Sequence, residues 1–343
     1  MGLLLPIAVP LVLFLGSQLW PATALWVTQS LLLAWGGLSI LDAAISLARA
    51  RANRQFNKTS PTKRLALVTG ASAGLGREIT RLLAQQGYAL LLVARREQLL
   101  QELQRELQQL TKQEVTYIVA DLGSAKGIQR VVDHVQNEHL EVDVLINNAG
   151  ASVRGELTSL SPSQVETILE LNVSAATKLT HALVPGMVAR RRGGKVLMIS
   201  SMAGEMANPL AAIYGASKAY LTKFALATNY ELRGTGVTVT VFLPGPLHTE
   251  FGQHAQCQDA IYMNMPGRAT PQECAVAAVA SMDEETTILA FDKWTTHVMV
   301  TTMANVLPLA VSTTLAGLGM EDPRTLLNRM RGRKEETTNR KNQ

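Results

Sequence analysis

The chain has 343 residues and a formal net charge of +5, enough length for one large α/β domain plus additions. The basic excess lies largely in a linker and a tail, so it says little about substrate. No basic–aromatic patch accompanies it, which argues against a nucleic-acid partner. The cysteines, Cys257 and Cys274, form neither a disulfide framework nor a metal-spaced cluster; such sparing use suits a reducing compartment.

Met1 to Leu41 contains no Asp, Glu, Lys, Arg or His, and the first charged side chain is Asp42. A spanning helix needs about 20 apolar residues, and this run is roughly twice that. Residues 1–45 therefore read as a hydrophobic anchor in a lipid bilayer. Pro21 splits it into a helical hairpin, or a single span occupies residues 22–41 behind an apolar lead. Trp20, Trp26 and Trp35 suit interfacial levels. A cleaved signal peptide is the competing reading, although the segment lacks a charged start and is long for one. Arg49, Arg51, Arg54 and Lys58 fall in the basic linker, residues 46–61, and Lys63 and Arg64 follow with no acid between them. The positive-inside rule puts this side, and the domain after it, in the cytosol.

Residues 65–69 form a short apolar run suited to a buried parallel strand. Gly70-Ala-Ser-Ala-Gly74-Leu-Gly76 follows, then a helical stretch from Arg77 to Gln86. Glycines in that context permit a tight turn and close approach to a pyrophosphate, and a helix N-terminus supplies N–H donors. Ser72 can add a hydrogen bond. The next strand, Tyr88–Ala94, runs into Arg95 and Arg96. Folds that choose NAD place an acid near this point for the ribose 2′-OH. Two cations suit the 2′-phosphate of NADP(H), with Arg95 as the main contact; the alternative is that they merely begin a solvated helix. Residues 97–110 carry Leu99, Leu103, Leu107 and Leu110 at helical spacing, a surface helix packed on the sheet.

Two further strands end in small or polar residues, where ligands bind in open α/β sheets. Val115–Ala120 leads to Asp121-Leu122, and Val142–Ile146 leads to Asn147-Asn148-Ala149-Gly150. Later strands are expected at Val196–Ser200, Val237–Leu243 and Thr286–Phe291. Between them lie Ser201 and, thirteen residues on, Tyr214-Gly-Ala-Ser-Lys218. Positions i and i+4 share a helix face, so the phenol and the ammonium point into one space. A free tyrosine titrates near pH 10, and a lysine cation beside it favours the phenolate. A serine hydroxyl can hold a substrate oxygen while its charge changes. The tyrosine–lysine pair alone is common on ordinary helices; the upstream loops give it meaning.

Taken in order, Thr69-Gly70-x-x-x-Gly74-x-Gly76, Asp121-Leu122, Asn147 to Gly150, Asn172, Ser201, Tyr214-x-x-x-Lys218 and Pro244-Gly245 closely resemble the short-chain dehydrogenase/reductase family over residues 62–292. The resemblance implies a Rossmann-type α/β fold, a doubly wound parallel sheet with strand order 3-2-1-4-5-6-7. It implies Tyr214 as the acid in reduction and the base in oxidation, and Lys218 as the group that binds the nicotinamide ribose and tunes Tyr214. Ser201 would hold the substrate oxygen, and Asn172 would support a water in the proton relay. Gly70, Ser72, Gly74, Leu75, Gly76, Arg95, Asp121, Leu122, Asn148, Ala149 and Gly150 would cradle NADP(H). Pro244, Gly245 and Thr249 would pack beside the nicotinamide. Ala73 departs from many NADP-using relatives, which carry a basic residue there. No metal site is implied.

Within the family the chain looks most like bacterial-type reductases, with membrane-bound 3-ketoacyl-CoA reductases and hydroxysteroid dehydrogenases also similar; Pro244-Gly-Pro246 departs from the ketoacyl-CoA pattern. Residues 247–268 fall at the family's substrate lid. There Phe251, Tyr262, Met263, Met265 and Pro266 line an adaptable apolar pocket or pack the lid onto the core. Residues 293–322 form an apolar C-terminal segment, either interfacial or a packed subdomain. Residues 323–343 are a basic polar tail, and Arg340-Lys341 resembles a dibasic retrieval signal of endoplasmic-reticulum membrane proteins. The expected protein is a membrane-anchored oxidoreductase interconverting a ketone or aldehyde and an alcohol on a lipid, steroid or acyl-type substrate. The alternative is a non-catalytic NADP(H)-binding scaffold or redox sensor. Family members commonly dimerise through the helices bearing Asn172 and Tyr214, and an anchor neither requires nor excludes a homodimer.

Overall fold

The structure, a computed structural model, describes residues 64–323 apart from 248, 265–267, 284–288 and 306, together with scattered helical positions between 37 and 48. The expected anchor and basic linker lie almost wholly outside the described residues, as does the tail from 324. Among the described residues no helix is long and apolar enough to cross a membrane.

Seven parallel strands form one sheet: β1 (Leu65–Thr69), β2 (Ala89–Ala94), β3 (Val115–Val119), β4 (Val142–Asn147), β5 (Gly194–Ile199), β6 (Val237–Leu243) and β7 (Leu289–Phe291). Their order is β3-β2-β1-β4-β5-β6-β7, as expected. The strands read as continuous apolar runs because both faces of the sheet are covered. Alternate side chains then serve separate cores. Ala66, Val68, Leu90 and Leu92 enter one core, while Leu67, Leu91 and Val93 enter the other.

Helices α1 (Gly74–Gln85), α2 (Glu97–Leu110) and α3 (Ala125–Asn137) connect the first four strands. Helix α1 begins three residues before the expected Arg77, because the second half of the glycine loop is already its first turn. Helix α2 has the expected bounds, but its buried stripe is Leu100, Leu103 and Leu107. Leu99 is only half-buried and Leu110 is 44% exposed, so the face is rotated from the expected one. Then come α4 (Pro162–Leu169), a π-helical turn (Glu170–Ser174), α5 (Ala175–Arg190) and α6 (Ala212–Glu231). Helices α1 and α2, with α8 (Pro271–Asp283), cover one face; α3, α5 and α6 cover the other. Two shorter pieces lie over the carboxyl ends of the strands: α7 (Glu250–His254) and a 3-10 turn (Ile261–Asn264). Helices α9 (Trp294–Asn305) and α10 (Leu309–Met320) close the described chain.

Candidate active site

The end of β1 is stitched to the end of β4. Thr69 Oγ1 donates to Ile146 O (3.0 Å) and accepts from the backbone N–H groups of Asn148 (3.0 Å) and Ala149 (3.1 Å). Asn148 Nδ2 returns to Thr69 O at 2.9 Å. Between these anchors the loop turns through positive φ at Gly70 and Gly74, conformations that favour glycine. A Cβ on Gly76 would overlap the Gly70 carbonyl oxygen and approach Asn148 Nδ2 to 2.5 Å. Gly76 therefore lets helix and loop close together. Ala73, the N-cap of α1, makes no side-chain cap, which leaves first-turn N–H groups to face a ligand.

At the end of β2, Arg95 is two-thirds exposed and only loosely paired, 4.0 Å from Asp121. Arg96 is the N-cap of α2 and pairs at 2.7 Å with Glu250 of α7. The alternative reading of these arginines thus describes the backbone of Arg96, while both side chains line a cavity of about 600 Å³.

The carboxyl end of β5 delivers Ser201, whose Oγ accepts from Ala203 N at 3.2 Å and is hydrogen-bonded to the Tyr214 hydroxyl. Ser200 turns inward instead, donating to Lys218 O at 2.8 Å. Lys218, 3% exposed, donates from Nζ to Ile199 O at 2.8 Å and lies 5.8 Å from the centre of the Tyr214 ring. A Cβ on Gly150 would stand 3.3 Å from that Nζ. Asn172, fully buried on the π-helical turn, accepts from Ala151 N (2.8 Å) and donates to Ala151 O (2.9 Å) and Ser217 Oγ (2.9 Å). Ser217 in turn donates to Tyr214 O at 2.7 Å. Asn172 is thereby tied to the helix of Tyr214.

The electrostatics differ from the sequence expectation. Burial pushes the Tyr214 phenol up to about 12, and the Ser201 hydrogen bond offsets only part of that. Part of the Tyr214 surface faces the cavity, but the packing around its hydroxyl strips away enough water to dominate. Burial likewise brings Lys218 down to about 8. Lys218 Nζ turns to Ile199 O, and burial, not its charge, has the largest influence on the Tyr214 phenol.

Residues 64–259 match the family model for short chain dehydrogenases. The chain is a short-chain dehydrogenase. It is 33% identical over 259 residues to dehydrogenase/reductase SDR family member 7B of Mus musculus, covering 74% of this chain and 77% of that one. Sulfoacetaldehyde reductase 2 of Chromohalobacter salexigens is 33% identical over 204 residues, covering 58% and 80% of the two chains. Among solved structures, a short-chain dehydrogenase from Sphingobium yanoikuyae in complex with NADPH superposes with a TM-score of 0.62 at 26% identity, covering 71% of this chain and 96% of that one.

In this dehydrogenase every site residue expected from sequence lines the cavity except Gly76 and Asn172, which sit behind it. Phe251, Tyr262 and Met263 of the expected lid also line it, while Met265 and Pro266 lie outside the described residues. Sequence reasoning missed Met206, Asn208, Met299 and Leu315 as lining residues, and Ser217 and Glu250 as partners. Cys257, read as an ordinary small side chain, lines the cavity and accepts a hydrogen bond from the Tyr262 hydroxyl at 3.3 Å.

Proposed function

We propose that this short-chain dehydrogenase is a membrane-anchored, NADP(H)-dependent oxidoreductase that interconverts a ketone or aldehyde and an alcohol on an apolar substrate. The observation that carries this is one cavity holding both Arg95 at one end and the Ser201–Tyr214–Lys218 group at the other. The cofactor fits the residues present: a glycine cradle without Cβ atoms, an uncapped α1 N-terminus and a loosely paired arginine. Gly70, Ser72, Gly74 and Leu75 would hold the pyrophosphate, and Arg95 the 2′-phosphate. Asp121, Leu122, Asn148, Ala149 and Gly150 would line the adenosine and ribose path, and Pro244, Gly245 and Thr249 the nicotinamide. When bound, the cofactor supplies or accepts the hydride.

The remaining steps fall to the protein. Ser201 holds the substrate oxygen by its hydroxyl. Tyr214 gives that oxygen a proton in reduction and removes it in oxidation. A phenol is protonated at neutral pH even when free, and burial, which raises this one to about 12, extends that protonated form to higher pH, which suits the reductive direction. Lys218 sits where a ribose can accept from its ammonium, and Asn172 holds the proton path behind it. Full-length protein in detergent should oxidise NADPH with at least one lipid ketone. Tyr214→Phe should abolish that turnover and retain NADPH binding; undiminished turnover in the variant sinks the mechanism.

The uncharged residues 1–41 and the following basic run support an anchor with the catalytic domain, residues 62–292, in the cytosol. The tail's Arg340-Lys341 supports the endoplasmic reticulum. Helix α10 contains no charged residue and exposes Leu309, Val311 and Leu318, which supports contact with lipid beside the cavity. Leu169, Tyr220 and Tyr230, exposed on α4 and α6, support a homodimer through this side.

A further inference from the structure

Pro244-Gly-Pro246 leaves the end of β6 as a strap along the cavity, and all three residues line it. Proline has no backbone N–H, so Gly245 carries the single main-chain donor of the strap. That donor is spent within the protein. Gly245 N donates to Asp292 Oδ2 at 3.1 Å, across 47 positions of chain. Asp292 directly follows β7, beyond the residues of the family match. Its other oxygen, Oδ1, accepts from Lys293 N at 2.8 Å, just before α9 begins. One oxygen therefore satisfies the approach to α9, and the second is left for the strap.

The two prolines fix φ at 244 and 246. The freedom of the strap is concentrated at the peptide between Pro244 and Gly245, which glycine by itself would let swing. Here that peptide is held on both edges. Its carbonyl, Pro244 O, accepts from Met202 N at 3.1 Å, and its N–H goes to Asp292. Met202 directly follows Ser201, so one peptide plane joins the serine of the site to the end of β7. Retreat toward α9 is blocked as well. A Cβ on Gly245 would stand 3.1 Å from both Asp292 Oδ2 and Thr296 Oγ1, and Thr296 is buried. A carboxylate is a stronger acceptor than a neutral oxygen, and here it bridges two backbone donors.

We propose that Asp292 is a positioning residue of this dehydrogenase. Its carboxylate locks the Pro244–Gly245 peptide and so fixes the surface on which the nicotinamide half of the cofactor rests. Asp292 itself does not line the cavity and acts only through the strap. The proposal rests on the placement of the nicotinamide beside Pro244 and Gly245 given above.

The test compares the whole cofactor with its nucleotide half and needs no carbonyl substrate. Full-length protein in detergent is titrated with NADPH, followed by nicotinamide fluorescence, and with adenosine 2′,5′-bisphosphate, followed by displacement. Asp292→Ala should weaken NADPH about tenfold, the scale of one lost hydrogen bond to a charged group. The affinity for adenosine 2′,5′-bisphosphate should stay within about twofold, which also shows that the fold survives. Asp292→Asn keeps the size of the side chain but one oxygen only, and should weaken NADPH by a smaller factor, about threefold. If Asp292→Ala does not fold, the same comparison on Asp292→Asn decides. NADPH affinity unchanged in the variants, or an equal loss for both ligands, would overturn the proposal and leave the oxidoreductase reading standing. Wild-type protein that binds NADPH no more tightly than adenosine 2′,5′-bisphosphate would overturn the placement of the nicotinamide and the proposal with it.

Discussion

Tyr214 and Lys218 share a dry space that penalises charge on either. The consequence for Lys218 has a definite sign. Its proton is released near pH 8 in the folded protein, against 10.5 for a free side chain. Between those values the unfolded chain binds a proton that the folded chain has lost, so stability rises with pH across that window. Below pH 8 both states are protonated and the full cost of burying the cation, about 3 kcal/mol, remains. Urea unfolding of the cofactor-free protein should therefore show a midpoint that climbs from pH 7.5 to 9.5, and Lys218→Met should abolish the climb. Tyr214 acts oppositely above pH 10, where the unfolded phenol ionises and the folded one, raised to about 12, does not. At the catalytic level, reduction needs the phenol and oxidation needs the phenolate. The rate of alcohol oxidation should thus rise close to tenfold per pH unit between pH 6 and 7.5, below the loss of the Lys218 proton, while reduction stays flat, a contrast that initial rates in both directions would check. The residue types and spacing of this site were legible in the chain. Which way Tyr214 titrates was not, because burial is a property of everything packed around it.

Helix α1 and its loop depend on an absent methyl group. Gly76→Ala would drive a Cβ into the Gly70 carbonyl and Asn148. Backbone cannot yield as a flexible side chain does, so a loss of about 2 kcal/mol in stability is expected, with weakened NADPH binding, measurable by denaturation and by cofactor fluorescence. A contrasting helix end is α3, where the Ser124 hydroxyl caps Gly127 N at 3.1 Å. Ser124→Ala should cost about 1 kcal/mol and leave NADPH affinity intact. The phase of α2 shows where periodicity runs out. Leu99 and Leu100 are adjacent, and either can begin a stripe that continues through Leu103 and Leu107. Packing against the sheet selects Leu100, and no local preference distinguishes the two. The π-helical turn bearing Asn172 has no spacing signal either; its extra residue is held by Ala151 and Ser217, which are distant in the chain. Glu250 was equally invisible as a partner of Arg96, since 154 residues separate them.

At the scale of the molecule, the parallel α/β class was legible because apolar strands alternate with amphipathic helices and glycine-rich turns, while the strand order itself came with the resemblance to the family. The part of the cavity wall contributed by α9 and α10 was not legible. Helices α9 and α10 mix Thr, Ala, Leu and Met on all sides, so their sequences do not say which face meets the cavity. The anchor proposal belongs to this scale too: full-length protein should stay in the membrane pellet through alkaline carbonate extraction, and a variant lacking residues 1–41 should release a substantial share. The cavity itself joins two stretches of different provenance. Its nucleotide end is built from glycine loops and strand ends within the family match, and its far wall from helices beyond that match. An inhibitor shaped to the nucleotide end would meet a surface shared across many reductases. One that reaches Met299 and Leu315 would meet a surface outside that family match, and selectivity should be sought there.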